Sequence, residues 1–552
     1  MSGQFDAVSL GILWDRLISI SNEIEQTLAR TSFSTIVRES WDLASILFDE
    51  RGRTLAQGTY SMPTFIGTAP QTIQHMLRRY PVETLAEGDV LFTNNSWMGT
   101  GHNFDVNVMR PAFRHGRIVG FAFSISHLPD IGGRGFSALN ASMYEEGLQI
   151  PVTKLVRAGK INDELIELVR TNVRVPEQVV GDLMANVTAT ETGCRKLVEF
   201  LDEYGLESLS GLSDAIIRQS EGAMRKQIAL LPAGHYPGSM MMEGLEQAVK
   251  MVCDIKVAGD RLSIDFTGSD PQTAAAFNVP VCYTRAMAAY AFKVMLLPHV
   301  PNNVGSVDPI EVFAPEGSIV NALPPAATAA RHLVGHNIPP MIYTALADVL
   351  PEYVQANPAF TNILNISGRN RTGEDYATLF FTAGGLGGMS RLDGRSTTPS
   401  PSNMRVLSTE ILENLTSLLV EHRMIRPDSG GPGEYRGGLG QTYRLRNVTD
   451  KAINVVGLGR RNTFPALGLR GGKPGAPRLY RINGEEVFPR GRYQLKPGDT
   501  IDVFDAGGGG YGNPSDRDRS AVAADVAAGF VTAAQAAADY GLAIVGPGQA
   551  KP

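Results

Sequence analysis

Residues 89–127 read DVLFTNNSWMGTGHNFDVNVMRPAFRHGRIVGFAFSISH, and the architecture follows from them. Asp89 to Thr93 predicts a strand, and Asn94 to Asp105 a polar, glycine-bearing loop. Val106 to Phe113 and Ile118 to Ser126 predict two strands around Arg114-His115-Gly116-Arg117. If the turn is the three-residue His115-Gly116-Arg117, Met109 faces Phe123 and Asp105 faces His127, with Cβ atoms ~5 Å apart on one side of the sheet. A two-residue turn shifts the register and sends them to opposite faces. His102 precedes Asp105 by three residues, so a straight strand would turn it away. Gly99 and Gly101 permit the bend that brings it round. Two imidazoles and a carboxylate form a divalent-metal set with open positions, suited to polarising a carbonyl or activating a water. The alternative is that these residues cap loops and satisfy backbone groups.

Working outward, Leu10, Leu13, Leu17, Ile20, Ile24 and Leu28 step by three and four, which predicts an amphipathic helix over 7–31. Residues 43–57 predict a short hairpin turning at Asp49-Glu50-Arg51-Gly52, and 69–80 a helix starting after Thr68. Helical patterns recur at 163–170, 178–204, 212–231, 283–297 and 336–350, with strands over 238–270. Beyond 350 and up to about 512 the chain is glycine- and strand-rich, and an alanine-rich helical tail spans 518–541. The strand and helix blocks alternate too irregularly for a doubly wound sheet. The expectation is therefore a mixed, multi-domain α+β protein. Its parts are an N-terminal region with the hairpin site (1–158), a mainly helical region (159–237), a central α+β region (238–415) and a Gly-rich β region with the helical tail (416–552).

Composition narrows the function. The 552 residues carry 50 Lys+Arg against 56 Asp+Glu, a formal charge of -6, and no stretch interleaves basic and aromatic residues; nucleic-acid binding is not expected. Cys194, Cys253 and Cys282 are too scattered for a cysteine-ligated zinc. No apolar run approaches a membrane span, and Met1-Ser2-Gly3-Gln4-Phe5-Asp6 lacks the basic start of a leader, so a cytoplasmic protein is expected. No GxxxxGK[ST] occurs; Gly471-Gly472-Lys473-Pro474 fails at the proline. No GxSxG serine elbow occurs either. Gly507 to Gly510, four consecutive glycines, reads as structural rather than as a phosphate cradle. Asp130, before Ile131-Gly132-Gly133, either aims a carboxylate at the site or starts a turn. Arg331, His332 and His336 read more readily as surface residues near a helix start than as an anion site.

Several ordered segments together resemble the hydantoinase B/oxoprolinase family. They are Arg38-Glu39-Ser40-Trp41-Asp42, Gly99-Thr100-Gly101-His102-Asn103-Phe104-Asp105, His127-Leu128-Pro129-Asp130-Ile131-Gly132-Gly133 and Asp265-Phe266-Thr267-Gly268-Ser269. Arg426-Pro427-Asp428-Ser429-Gly430-Gly431, Tyr435-Arg436-Gly437-Gly438-Leu439-Gly440 and Gly507-Gly508-Gly509-Gly510-Tyr511-Gly512-Asn513-Pro514 continue the series. The resemblance implies a B-type subunit of an ATP-dependent enzyme that opens cyclic amides such as 5-oxoproline, hydantoins and lactams. A related branch carboxylates ketones such as acetone and acetophenone. It implies a divalent metal (Zn, Mn or Mg) at His102, Asp105 and His127, with Asp42 as a further ligand in some members; for ring opening, Asp130 or Asp42 stands as general base or second ligand. It also implies a hetero-oligomer in which ATP is bound by a separate hydantoinase A-like subunit, and a small-molecule substrate. The chain departs from the family pattern at Asn94-Asn95-Ser96, at Leu128 where a second histidine is frequent, and at Ser61 to Gly67 where a His-rich segment is common. Ring opening, ketone carboxylation and a purely structural subunit therefore stand as alternatives.

Overall fold

The computed structural model describes residues 5–542; Met1-Ser2-Gly3-Gln4, part of the stretch that lacks a leader's basic start, lies outside them. The chain divides into two compact units, Met1–Pro237 with Val252–Ile338 and Gly238–Met251 with Pro339–Pro552. Helices and sheets are mixed in the α+β manner expected.

The first unit opens with α1 (Ala7–Thr31), where the apolar spacing predicts it. Asp6 caps it by accepting the backbone N–H groups of Val8 and Ser9 at 2.9 and 3.0 Å, and the predicted stripe from Leu10 to Leu28 is buried. After α2 (Thr35–Arg38) come β1 (Leu43–Phe48) and β2 (Thr54–Gln57), the expected hairpin. Helix α3 runs Pro63–Arg79, beginning well before Thr68. Pro63 starts it, and burial of Phe65, Ala69, Ile73 and Met76 on one stripe outweighs the hydrogen bond lost at Pro70 inside it.

Next come β3 (Val90–Thr93), β4 (Asp105–Arg114), β5 (Arg117–His127), α4 (Met143–Glu146), β6 (Thr153–Arg157) and β7 (Lys160–Ile161). The seven strands form one sheet, in order β2-β1-β5-β4-β3-β6-β7. Every neighbouring pair in it is antiparallel. Helices α5 (Asp163–Asn172), α6 (Pro176–Glu203) and α7 (Ser210–Ile228) follow. Leu17 and Ile24 of α1 and Leu197 of α6 share a core with Leu43, Leu47, Ala112 and Ala122 of the sheet. Strand side chains alternate, so Asp105 and His127 project from the other face. That face carries the Phe48–Phe123 ring pair, 5.6 Å between centroids.

The β4–β5 ladder pairs Asp105 with His127 and Met109 with Phe123, but not through a three-residue turn. Arg114 pairs with Arg117, leaving His115 and Gly116 as a two-residue turn with φ of 51° and 73°. Continued without interruption, that register would set Asp105 against Ser126. Val119 is an extra residue between Ile118 and Gly120, and this bulge restores the alignment.

Strands β8 (Gly234–Met242), β9 (Val249–Ala258) and β10 (Arg261–Asp265) fill the expected 238–270 stretch. Helix α8 (Val281–Leu296) precedes β11 (Ile310–Phe313), which pairs parallel to β10. Of the helix expected at 336–350 only α10 (Ile338–Ala345) forms, and a separate single turn, α9 (His332–Gly335), precedes it. Pro339 and Pro340 lack the N–H groups that would continue α9, and they fit the first turn of a new helix.

The second unit holds two antiparallel sheets. One is ordered β13 (Asp375–Ala383), β12 (Thr361–Arg369), β16 (Ile453–Gly457), β19 (Arg492–Leu495). The other is ordered β14 (Leu418–Ile425), β15 (Gln441–Asn447), β20 (Thr500–Phe504), β17 (Leu479–Ile482), β18 (Glu485–Val487). Leu364, Phe380, Tyr443, Leu445, Val455 and Val503 lie in their common core. Helices α11 (Thr409–Thr416), α12 (Arg519–Ala527) and α13 (Ala533–Tyr540) complete the unit, the last two forming the predicted tail.

Gly507 to Gly510 is structural, as the sequence suggests. Gly507 donates to Ala476 O, Gly508 to Gly438 O, Gly509 to Asn357 O and Gly510 to Lys473 O, at 2.9–3.1 Å. Residues three apart thus return to the same neighbouring segment, the periodicity of an extended three-residue helix. A Cβ at Gly508 would lie 2.0 Å from Leu386 O, so only glycine admits these backbones.

Candidate metal centre

His102, Asp105 and His127 place their ligand atoms within 4.8 Å of one another, in a cluster that includes neither Asp42 nor Asp130. All three are buried. Asp105 opens β4 and His127 closes β5, cross-strand partners on one face. Gly101, at φ +93°, bends the chain to return His102 to them. A Cβ there would meet Arg331 Cδ at 2.8 Å.

The imidazoles are held by their outer nitrogens. His102 Nδ1 lies 2.9 Å from Ala329 O, and His127 Nδ1 lies 2.8 Å from Leu128 O. A carbonyl only accepts, so each Nδ1 carries the hydrogen and each Nε2 turns a lone pair inward. His102 Nε2 is 2.8 Å from Asp105 Oδ2, yet it makes no hydrogen bond. His127 Nε2 and Asp105 Oδ1 are likewise buried without a hydrogen-bond partner. Three converging buried acceptors are costly, roughly 1–3 kcal/mol each, unless something positive joins them. The donor set fits a divalent cation of the zinc or manganese kind.

Burial drives the His127 imidazole down to about 3. Burial and the Arg331 charge lower His102 as well, so both rings are neutral at pH 7. Burial alone would raise Asp105, but the charge that His102 would carry if protonated and the Arg331 guanidinium hold its carboxyl well below the usual range. Asp105 Oδ2 accepts Thr100 Oγ1 at 2.5 Å and Arg331 Nη2 at 2.9 Å. Arg331 Nε donates to Thr100 O at 2.7 Å, and its guanidinium covers the Tyr283 ring at 4.4 Å.

Asp42 precedes β1, and its carbonyl accepts the His127 N–H at 3.2 Å. Its carboxyl is buried with Oδ1 lacking a hydrogen-bond partner, and burial and the Asp105 charge raise it well above the usual range. Asp130 is engaged elsewhere. Its Oδ1 accepts Gly132 N at 3.2 Å and Arg174 Nη1 at 2.5 Å, and its Oδ2 accepts the Arg174 backbone N–H.

Sequence reasoning missed part of the surround. His332 and His336 are buried rather than on the surface. The Phe136 ring lies 5.8 Å from His102, 5.4 Å from His127 and 5.9 Å from His332, in the stacked arrangement with the last. Glu146 is fully buried, and its Oε1 accepts Thr328 N at 2.5 Å and Ala329 N at 2.6 Å. It therefore holds the turn whose carbonyl orients His102. Burial pushes its carboxyl up to about 7 against those backbone hydrogen bonds. Its partners are 182 and 183 residues away, so nothing local marks it.

The fold thus brings a His-Asp-His cluster together at the end of an antiparallel hairpin. The chain belongs to the hydantoinase B/oxoprolinase family, whose profile matches residues 6–514. It is 29% identical to the B-type chain of the putative D-/L-hydantoinase of Pseudomonas sp. (strain NS671), over 98% of this chain and 96% of that one. It superimposes on the crystal structure of ATP-dependent caprolactamase from Pseudomonas jessenii with a TM-score of 0.90, at 26% identity, covering 99% of this chain and 98% of that. It shares its fold with nucleotide-free acetone carboxylase at a TM-score of 0.84 and 20% identity, covering 96% of this chain and 79% of that. Among the described residues no helix is long and apolar enough to cross a membrane.

Proposed function

We propose that this chain is the B-type subunit of an ATP-dependent enzyme that opens a cyclic amide, with a divalent cation held by His102, Asp105 and His127. The observation that carries the reading is the trio of inward-facing buried acceptors, His102 Nε2, His127 Nε2 and Asp105 Oδ1, that the protein itself leaves without hydrogen bonds. When bound, such a cation supplies Lewis acidity, polarising a carbonyl or lowering the pKa of a water. The chain's own residues do the rest. Ala329 and Leu128 fix the imidazole tautomers. Thr100 and Arg331 hold one Asp105 oxygen and leave the other free for the cation. Asp42, whose carboxyl burial and the Asp105 charge raise well above the usual range, serves as a proton carrier beside the site or as a further ligand once ionised. Asp130, clamped by Arg174, positions the loop that follows His127. The chain has no P-loop, and its hydantoinase relative is one chain of a multi-chain enzyme. ATP is accordingly assigned to a hydantoinase A-like partner in a hetero-oligomer in the cytoplasm.

Ketone carboxylation is the second reading, favoured by Leu128 where a ring-opening relative often carries histidine, and by the acetone carboxylase fold. The first test is metal content by mass spectrometry of the wild type and a His102→Ala/His127→Ala double variant. Near-stoichiometric Zn or Mn in the wild type, lost in a still-folded variant, supports the centre; no metal even with the partner present sinks it. ATP-coupled ring opening with the A-type partner, against radiolabelled bicarbonate incorporation into a ketone, then separates the two reactions.

A further inference from the structure

The His102 imidazole and the residue beside it are tied to the same distant segment. His102 Nδ1 donates to Ala329 O at 2.9 Å. Asn103, the next residue, makes the second link, its Oδ1 accepting the Ser96 hydroxyl at 2.6 Å. Ser96 Oγ in turn accepts the Thr328 hydroxyl at 3.0 Å. His102 and Asn103 are consecutive, and so are Thr328 and Ala329, so these hydrogen bonds close a circuit. It joins segments 227 to 232 residues apart in sequence.

Donation through the hydroxyls runs one way. An amide oxygen only accepts, so Ser96 gives its single hydrogen to Asn103. Ser96 then has only lone pairs to offer Thr328, whose hydroxyl must donate. Ser96, Asn103 and Thr328 are each 0% exposed, so bulk water replaces neither bond. On one side, Asn94 Nδ2 donates to Asn103 O at 2.7 Å, and Gln149 Nε2 is a second, longer donor to Asn103 Oδ1 at 3.4 Å. On the other, Glu146 Oε1 holds Thr328 N and Ala329 N. Ser96 is the joint between the two sides, and it lies in Asn94-Asn95-Ser96, where the chain departs from the family pattern.

We propose, on the reading of His102 as a metal ligand, that Ser96 is a positioning residue for its imidazole. The Ser96 hydroxyl locks the loop that carries His102 to the segment whose Ala329 carbonyl orients the ring. Ser96→Ala removes both bonds, and the two ends of the His102 Nδ1–H···O bond are then no longer held in register. The outer hydrogen bond of a metal-binding histidine fixes where its other nitrogen points. Ser96 thus governs the aim of His102 Nε2 without touching the ring.

The test uses the full chain with Ser96→Ala, Thr328→Val and Thr328→Ser. In metal-free protein carrying isotopically labelled histidine, the His102 Nδ1–H resonance, identified by its loss in His102→Ala, reports the ring directly. Its exchange with water should be about tenfold faster or more in Ser96→Ala and Thr328→Val than in the wild type. Cobalt(II) should bind those two variants about tenfold more weakly, by competition with a chelator, and with a shifted visible absorption spectrum. Thr328→Ser keeps the hydroxyl and should match the wild type in all three respects. Should Ser96→Ala fail to fold, Thr328→Val breaks the same circuit at the next bond. Folded variants whose exchange, cobalt affinity and spectrum equal those of the wild type overturn the proposal, as does a Thr328→Ser protein that behaves like Thr328→Val. Wild type that takes up no cobalt sinks the metal reading alone, and the exchange rates still decide the role of Ser96.

Discussion

Arg331 Nη2 lies 2.9 Å from Asp105 Oδ2 across 226 residues of sequence, while Asp105 Oδ1 is buried without a hydrogen-bond partner. The pair is buried on both sides, 5% and 0% exposed. Arg331 does more than neutralise, because its Nε also pins Thr100 O, whose own hydroxyl binds the same carboxylate oxygen. Arg331→Lys keeps the charge and removes the fork. Metal affinity, measured by competition with a chelator, should fall roughly 10–100-fold, as for other lost outer partners of metal ligands. An unchanged affinity would show that charge alone, not orientation, is what Asp105 needs.

Glu146 gives a pH signature. Its folded carboxyl is pushed up from an ordinary 4.5 to about 7. A carboxyl raised by folding contributes stability that is fully present below its unfolded value and lost as pH rises through its folded one. Relative to Glu146→Gln, the metal-free wild type should thus lose roughly 3 kcal/mol between pH 4.5 and 7. His127 acts in the opposite sense, its depressed value costing stability as pH falls below 6.5. The difference between wild type and Glu146→Gln in urea midpoint isolates the glutamate. A difference that stays flat with pH would remove the buried-acid account.

The Asp130 carboxylate and the Arg174 guanidinium form a clamp, with Asp130 almost fully enclosed and Arg174 half exposed. If Asp130 works by holding its loop, Asp130→Asn and Arg174→Met should lower turnover to a similar degree. The double variant should then be little worse than either alone. If Asp130 is instead a base in its own right, Arg174→Met should leave turnover nearly intact while Asp130→Asn abolishes it. Steady-state kinetics on the four proteins, with the A-type partner present, decides between them.

What could be read from the sequence was what is local or periodic. Helix α1 was legible because six apolar residues mark one stripe. The Asp105–His127 pair was legible because antiparallel strands impose a register, yet the route to it was not. Val119 looks like any strand valine, and nothing in its neighbours shows that it is the extra residue offsetting a two-residue turn. Arg331, His332 and Glu146 were hidden for another reason. Their partners lie far away in sequence, so only the packed chain shows that residues resembling surface polar groups enclose the site.

Two glycines of opposite kind test how far the glycine-rich reading extends. Gly508 donates to Gly438 O at 3.0 Å, and Gly431 N donates back to Gly508 O at 2.8 Å, inside a bundle of extended backbones. A methyl group there would lie 2.0 Å from Leu386 O, far inside contact distance, and the obstacle is backbone that cannot rotate away. Gly508→Ala should cost more than about 3 kcal/mol and unfold the second unit first, seen as early protease cleavage beyond residue 339. Gly11 lies in α1 with nothing within 4 Å of its would-be Cβ. Gly11→Ala should instead stabilise by roughly 0.5–1 kcal/mol, because alanine loses less backbone freedom on entering a helix. Thermal unfolding of both variants checks the pair. A Gly508→Ala protein as stable as the wild type would mean that the bundle can separate by more than an ångström, which its interlocking N–H···O bonds do not allow.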